Sequence, residues 1–310
     1  MMSVMKKTSF ALALLVLAGV TGCAGRTVTG SNAPTSRWPT YNPESSATHG
    51  PDNLVPDGYT GRFRVAAMVL ENQHHGPQLC IGPELSQPPQ CDNGPNIPGW
   101  SWNGLEHQSV AGTTWGFYVL IGTFDGRAFT LTEPAKLNDG TSTPSLPSSN
   151  YTTPCAEPAG GWKPVNPATA TNDTLNRVII MVKADPDFAG LWLGQKTMPT
   201  ADPNRGGVVM NDPTKLVLNV RFTKDLARHE AQIRQVWGGA LCLSTATHSM
   251  AELTAIQNQF SDPGTSSMID EATGTIDVKV YVATLARQRE LDQRYGPGLV
   301  HLHGIFEPID

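Results

Sequence analysis

The sequence predicts an α+β fold, with a small β-subdomain followed by a ferredoxin-like β-α-β-α-β-α-β domain. Three observations carry this. A favoured turn pair, Asp125-Gly126, divides a strongly apolar stretch at 113–133 into two strand candidates. In residues 215–310, four strand candidates are separated by three amphipathic, helix-like stretches. The third of these strands alternates cleanly: Ile276, Val278, Val280 and Val282 against Asp277, Lys279 and Tyr281. A doubly wound parallel sheet buries both faces of its strands and reads as continuous apolar runs. One polar face instead favours an open α+β sheet.

The β-subdomain is expected over 60–137, as a barrel or curled sheet. Its first strand, "GRFRVAAMVL" at 61–70, is apolar on both faces. The hairpin at 113–133 follows, with Phe129 and Leu131 alternating with Thr130 and Thr132. Between them lies "ENQHHGPQLCIGPELSQPPQCDNG", residues 71–94, which gathers His74, His75, Cys80 and Cys91. Trp100, Trp102 and Trp115 admit two readings, a sugar-binding platform or packing of a core and its lid. Packing is preferred, because aromatics dominate cores.

Residues 138–214 read as a loop-rich connecting segment with one helix. Leu175, Val178, Ile179 and Val182 share a helical face over 172–183, and Asn172 or Asp173 can cap it. The β-branched "RVIIMV" keeps a strand open as the alternative. "DFAGLWLG" is a candidate short strand.

The final domain, 215–310, begins with Leu216, Leu218, Val220 and Phe222 on one strand face. A helix follows over 224–237, capped by Thr223 and stopped by Gly238-Gly239. "ALCLS" is the second strand. Ser249 and Glu252 form a capping box before a helix carrying Leu253, Ile256 and Phe260. The third strand, a helix over 285–295 closed by Gly296, and a last strand over 299–306 complete the order. No clear internal repeat stands out.

The N-terminus has a different character. Lys6 and Lys7 precede an uncharged apolar run from Phe10 to Val20. It is shorter than the roughly 20 residues a spanning helix needs and fits the apolar region of a signal peptide, 1–22. The following Val20-Thr21-Gly22-Cys23 resembles the lipobox of bacterial lipoproteins, with Val20 in place of the usual Leu. The resemblance implies a lipidated Cys23 and attachment to the membrane through that anchor alone. Residues 23–59 then read as a flexible tether, too poor in apolar side chains to offset their ordering entropy. Trp38 and Tyr41 stand alone in it.

Composition narrows the rest. The chain has 310 residues, a net charge of −5 and 16% charged residues, against roughly 25% in typical soluble domains. Its sequence pI is near 5.9. That balance argues against nucleic acid, which needs a basic footprint. Of the five cysteines, four remain after Cys23: Cys80, Cys91, Cys155 and Cys242. In an exported chain these read as disulfides, with three possible connectivities. Strand parity selects one. If Leu241 and Leu243 face the helices, Cys242 faces the open side, with Asn219, Arg221, Asp277, Lys279, Tyr281, His301 and His303. Its partner must then come from outside the sheet, and Cys155 in the connecting segment fits. The expected pairs are Cys80–Cys91 and Cys155–Cys242.

Catalytic motifs are not evident. No G-x-S-x-G elbow, P-loop, G-x-G-x-x-G or H-E-x-x-H occurs, and no C-x-x-C. "RHEAQI" at 228–233 starts like a zinc helix but lacks its second histidine. His301 and His303 on one strand face, and His74-His75 beside Cys80, are weak metal candidates, each more readily a surface or interface pair. No cofactor is expected.

The stretches "HGPQLC…PPQC", "TPCAEPAGGW", "DPDFAGLW" and "VWGGALCLS…LDQRYGPG" resemble a set of secreted and lipid-anchored actinobacterial proteins. The resemblance covers most of 60–308. It implies an envelope location, carries no activity with it, and suggests that the four cysteines belong to the fold. The reading is a lipid-anchored envelope protein whose body binds a protein or small-molecule partner. The alternatives are a metal- or cofactor-binding lipoprotein using those histidines, or an enzyme with a site assembled from dispersed residues. Thiol titration of the unfolded, unreduced protein is expected to find no more than one free thiol; a higher count overturns the two-bridge scheme.

Overall fold

The computed structural model describes residues 52–81, 86–91, 93–138, 152–195 and 212–310. All lie in the second of the two units of the chain, Met1–Tyr41 and Asn42–Asp310. The signal peptide, Cys23 and the tether as far as residue 51 fall outside the described residues. Among the described residues the architecture is mixed α/β, with four α-helices and several sheets.

In chain order the strands and helices are β1 (Leu54–Val55), β2 (Phe63–Glu71), β3 (Gln78–Cys80), β4 (Gln108–Val110), β5 (Thr113–Phe124), β6 (Phe129–Leu131) and β7 (Lys136–Leu137). Then come α1 (Asn172–Lys183), β8 (Phe188–Gln195), β9 (Leu216–Phe222), α2 (Leu226–Arg234) and β10 (Ala240–Thr245). The rest are α3 (Met250–Gln257), β11 (Ser266–Asp270), β12 (Thr275–Val280), β13 (Ala283–Thr284), α4 (Leu285–Tyr295), β14 (Val300–Gly304) and β15 (Glu307–Pro308).

The first sheet is built on β2 and β5, antiparallel from Phe63 opposite Gly122 to Glu71 opposite Thr114. Short strands β4, β6 and β7 pair with β5, while β3 and β15 pair with β2. The hairpin departs from the expected two-residue turn. Four residues, 125–128, separate Phe124 from Phe129. Asp125 Oδ1 accepts the N–H groups of Arg127 and Ala128. Those donors, Ala128 first, hold its carboxyl below the ordinary aspartate range. Gly126 supplies the positive φ that a side chain would resist.

Val65, Val69, Tyr118, Leu120 and Phe129 form the core under one face of this sheet. Phe306 joins them from the far end of the chain, fully buried against Phe63, Phe124 and Phe129. Tyr281 stacks on Phe306. Residues of 60–137 and 215–310 therefore share one core. The folded body also begins before residue 60. Leu54 and Val55 pair in parallel with Ala283 and Thr284, and Val55 is 1% exposed. Asp57 accepts the Ala286 N–H and pairs with Arg289 at the start of α4. Composition missed this because two apolar residues suffice to add a strand where an edge stands open.

The helical half corrects the expected ferredoxin-like sheet. The four strands expected to share one sheet are divided between two three-stranded sheets, β10-β9-β8 and β11-β12-β14. β8, the "DFAGLWLG" segment, takes the edge of β9 in antiparallel pairing. β12 has its own antiparallel neighbour in β11. Alternation along β9 and β12 fixes which residues point inward, but not which strand lies alongside. β11 escaped the sequence reading because Met268 and Ile269 are its only large apolar residues.

Helix ends also moved. Thr171, not Asn172 or Asp173, caps α1, in a reciprocal box with Thr174. Asp225, in the left-handed region, replaces Thr223 at the start of α2 and makes no side-chain cap. α3 stops before Phe260, which still packs beside Ile256. The Ser249–Glu252 box and the Gly296 terminator stand as expected. The "RVIIMV" segment is helix. Leu175, Val178 and Val182 enter the core with Leu218, Val220 and Trp237, and Ile180 is left 71% exposed.

The order α-β-β-α-β occurs as α1-β8-β9-α2-β10 and again as α3-β11-β12-α4-β14, the second time with the two-residue β13, which pairs with β1, inserted before α4. In each sheet a central strand has one antiparallel and one parallel neighbour. The last helix-strand pair of each copy aligns without a gap: "LARHEAQIRQVWGGALCLS" at 226–244 and "LARQRELDQRYGPGLVHLH" at 285–303. Leu, Ala and Arg coincide at their start. The inward residues Leu241 and Leu243 of β10 match Val300 and Leu302 of β14. The outward Cys242 and Ser244 match His301 and His303. So few shared letters leave the repeat invisible until the topology aligns them.

Trp237 is fully buried and donates its indole N–H to the Ala240 carbonyl. Trp237→Ala is expected to cost about 3–5 kcal/mol. Ile180→Ser, on the solvent side of α1, should stay within about 0.5 kcal/mol. Urea unfolding of both variants measures the contrast.

Candidate functional site

The two expected disulfides are present. Cys80–Cys91 spans 11 positions and Cys155–Cys242 spans 87. β10 places Cys242 on the face away from the helices, beside Val217 and Ala240, where Cys155 and Trp162 pack over it. The segment 152–162 thus lies across the far face of the β8–β9–β10 sheet. The Thr152 carbonyl accepts the Trp192 indole N–H. Asn219, on the central strand, is fully buried beneath it. Closing so long a loop restricts the unfolded chain by about 4 kcal/mol in the chain-entropy account.

At the other bridge, His75 organises the loop mouth. Its Nδ1 lies 2.7 Å from the Gly76 carbonyl and its Nε2 lies 2.8 Å from the Cys91 carbonyl. The Asn72 amide is 3.0 Å from Nε2. Both ring nitrogens are engaged by the loop itself, and Cys80 and Cys91 have no thiolate to offer a metal. His74 is exposed beside it. On β14, His303 is held between two carboxylates, Nδ1 at 3.2 Å from Asp52 and Nε2 at 3.0 Å from Asp277. Its two nitrogens face apart rather than onto a shared centre. His301 sits across from Asp277 in the strand register.

The aromatic candidates separate. Trp115 is buried with Met68, Leu70 and Cys80. Trp100 and Trp102 pack against Tyr118 on the opposite face of β5. The three indoles therefore form no common platform. The Tyr118 hydroxyl donates to the Glu106 carbonyl at 2.6 Å, and burial pushes its pKa up to about 12.

The densest charged cluster was not anticipated. Asp185 and Asp187, in the turn between α1 and β8, meet His229 of α2. The side chain of His229 is 2% exposed and its ring stacks flat on Phe222 at 3.7 Å. Nδ1 is 3.5 Å from Asp185 and Nε2 is 3.7 Å from Asp187. The signal lay in "DPDF" together with the dismissed "RHEAQI", two segments that only the α1–β8 turn brings together.

Two aspartates and a histidine are a metal-ligating set, but their cations are already in place. Arg228 Nη2 lies 3.2 Å from Asp187 and 3.0 Å from His229 Nε2. Lys224 Nζ is 3.3 Å from Asp187. The guanidinium thus takes the position between imidazole and carboxylate that an ion would need. A guanidinium N–H can only donate, so in this contact His229 Nε2 faces Arg228 as the acceptor. The cluster ties α2 to the head of β8. The other repeat also uses this helical position as a tie, though to a different strand. Gln288, aligned with His229, donates to the Val300 carbonyl and accepts the Leu302 N–H, tying α4 to β14.

No protein-family model matches the chain, and no curated protein or solved structure is similar to it.

If His229 acts as a tie, His229→Ala should lose about 2–3 kcal/mol of stability. His229→Gln, which supplies the side chain the second repeat uses, should recover at least half of that loss. Denaturant unfolding of the two variants reads the difference.

Proposed function

We propose that the chain is a lipid-anchored protein of the extracytoplasmic face of the cell membrane, whose disulfide-stapled body serves as a binding module. The observation that carries the reading is the cysteine arithmetic. The four cysteines after Cys23 are consumed in two bridges, which persist in oxidising compartments and are rare in the cytosol. Cys23 is left over at the one position where the sequence resembles a lipobox, directly after the apolar run. Among the described residues no helix is long and apolar enough to cross a membrane, so attachment in this reading rests on the acyl chains. Both disulfides secure loops against sheet faces, and the titratable clusters tie elements of the body together. That division of labour suits a rigid presenting scaffold for a protein or small-molecule partner.

Cys23→Ala is the test. The variant should leave the membrane fraction and appear soluble outside the cytoplasmic membrane, with both disulfides formed. Retention in the membrane fraction overturns the anchor; reduced cysteines in the native protein overturn the compartment.

A further inference from the structure

The sequence contains two Asn-Gly pairs, Asn93-Gly94 and Asn103-Gly104. Such a pair is reactive. The glycine nitrogen can attack the side-chain carbonyl carbon of the asparagine, because glycine has no Cβ to stand in the way. A C–N bond forms to that carbon and its bond to Nδ2 breaks. The side-chain nitrogen leaves as ammonia, taking up the proton that the glycine amide loses. Water then opens the resulting succinimide ring at either carbonyl, leaving aspartate or isoaspartate. By sequence the two pairs are equivalent sites for this chemistry.

The fold separates them. Gly94 is wedged against the Leu79 carbonyl, which a Cβ would overlap, and Cys91 Sγ would stand 3.7 Å from that Cβ. Pro95 follows, and its carbonyl accepts the Leu79 N–H at 2.9 Å. Cys91 itself is bridged to Cys80. The backbone at Asn93 cannot swing the Gly94 nitrogen onto the side chain without opening the loop.

Asn103 and Gly104 are exposed. They are the central pair of a turn closed by the Leu105 N–H on the Trp102 carbonyl at 3.1 Å. Gly104 has a φ of 76°, and a Cβ there would meet nothing within 4 Å. Ser101 Oγ accepts the Asn103 N–H at 3.3 Å. Among the described residues no partner holds the Asn103 side-chain amide or the Gly104 N–H. The same turn carries Trp102, which packs on Trp100, His107 and Tyr118.

We propose that Asn103 is a self-modifying site, where the folded protein converts asparagine to aspartate and isoaspartate while Asn93 is spared. The proposal is independent of the lipid anchor and of any partner. Either product adds a negative charge close to Glu106. Isoaspartate also adds a main-chain carbon inside the turn from Trp102 to Leu105, which unseats Trp102 from Tyr118. Ammonia is lost for good, so the altered aromatic flap accumulates with the age of the molecule.

The test compares the two pairs in one chain. Native protein and reduced, denatured protein are held at mildly alkaline pH, where the glycine nitrogen loses its proton more readily. Peptide mapping follows both sites. With each site scaled to its rate in the denatured chain, native conversion at Asn93 is expected to fall about tenfold or more behind Asn103, because it must wait for local opening. Tryptophan fluorescence of the native protein should drift as position 103 converts. The drift should vanish in Asn103→Gln, whose longer side chain closes its ring far more slowly. Folding that slows both sites alike, or spares Asn103, overturns the proposal. A drift that persists in Asn103→Gln overturns its link to the aromatic flap.

Discussion

In the helical half, a strand must send alternate residues to opposite faces, and both faces must then be dealt with. Leu218, Val220, Leu241 and Leu243 turn toward α1 and α2 and form the core with Trp237. That choice forces Asn219 and Cys242 to the far side. There, among the described residues, no second layer of helices covers the sheet, and Val217 and Ala240 would meet water without the segment over them. The Cys155–Cys242 bridge resolves this by drawing 152–162 over them. A segment rich in Pro and Gly has little apolar surface with which to hold itself in place. A covalent bond therefore does what side-chain burial does for α1 and α2.

The same parity explains what was legible in the sequence. Period two in Leu216–Phe222 and Ile276–Val282 gave both central strands, and the inference from Cys242 gave both bridges. Capping chemistry located α3, and Gly296 located the end of α4. Neighbour relations were not legible. Nothing in β9 says that β8 takes its free edge, and β11 carries too few apolar residues to announce a strand. The cluster of Asp185, Asp187 and His229 escaped for a related reason. Its parts are more than forty positions apart, and each is unremarkable until the α1–β8 turn and the first turn of α2 meet over Phe222.

The duplicated α-β-β-α-β plan places unlike residues in like positions. His229 and Gln288 stand at the same helical step, and both fasten a helix to the neighbouring part of its repeat. One does so through an ion-pair cluster, the other through amide hydrogen bonds. Cys242 and His301 likewise share a place on the far face, one locked covalently and the other in a polar row. Retaining the inward apolar pattern while varying the outward residues keeps each core intact and gives each repeat a surface of its own.

The closing stretch of the chain returns to its first long strand. Glu307 and Pro308 pair with Arg64 and Phe63, Arg62 is held by Asp310, and Phe306 fills the centre of the first core. The core of the first sheet is therefore completed by a residue far downstream of it. Contacts so distant along the chain must wait until the loop between them can close. Until Phe306 arrives, β2 and β5 can pair but their core stays unfilled. Commitment to the native state therefore waits for the late segment, and the early sheet by itself is an unfinished half.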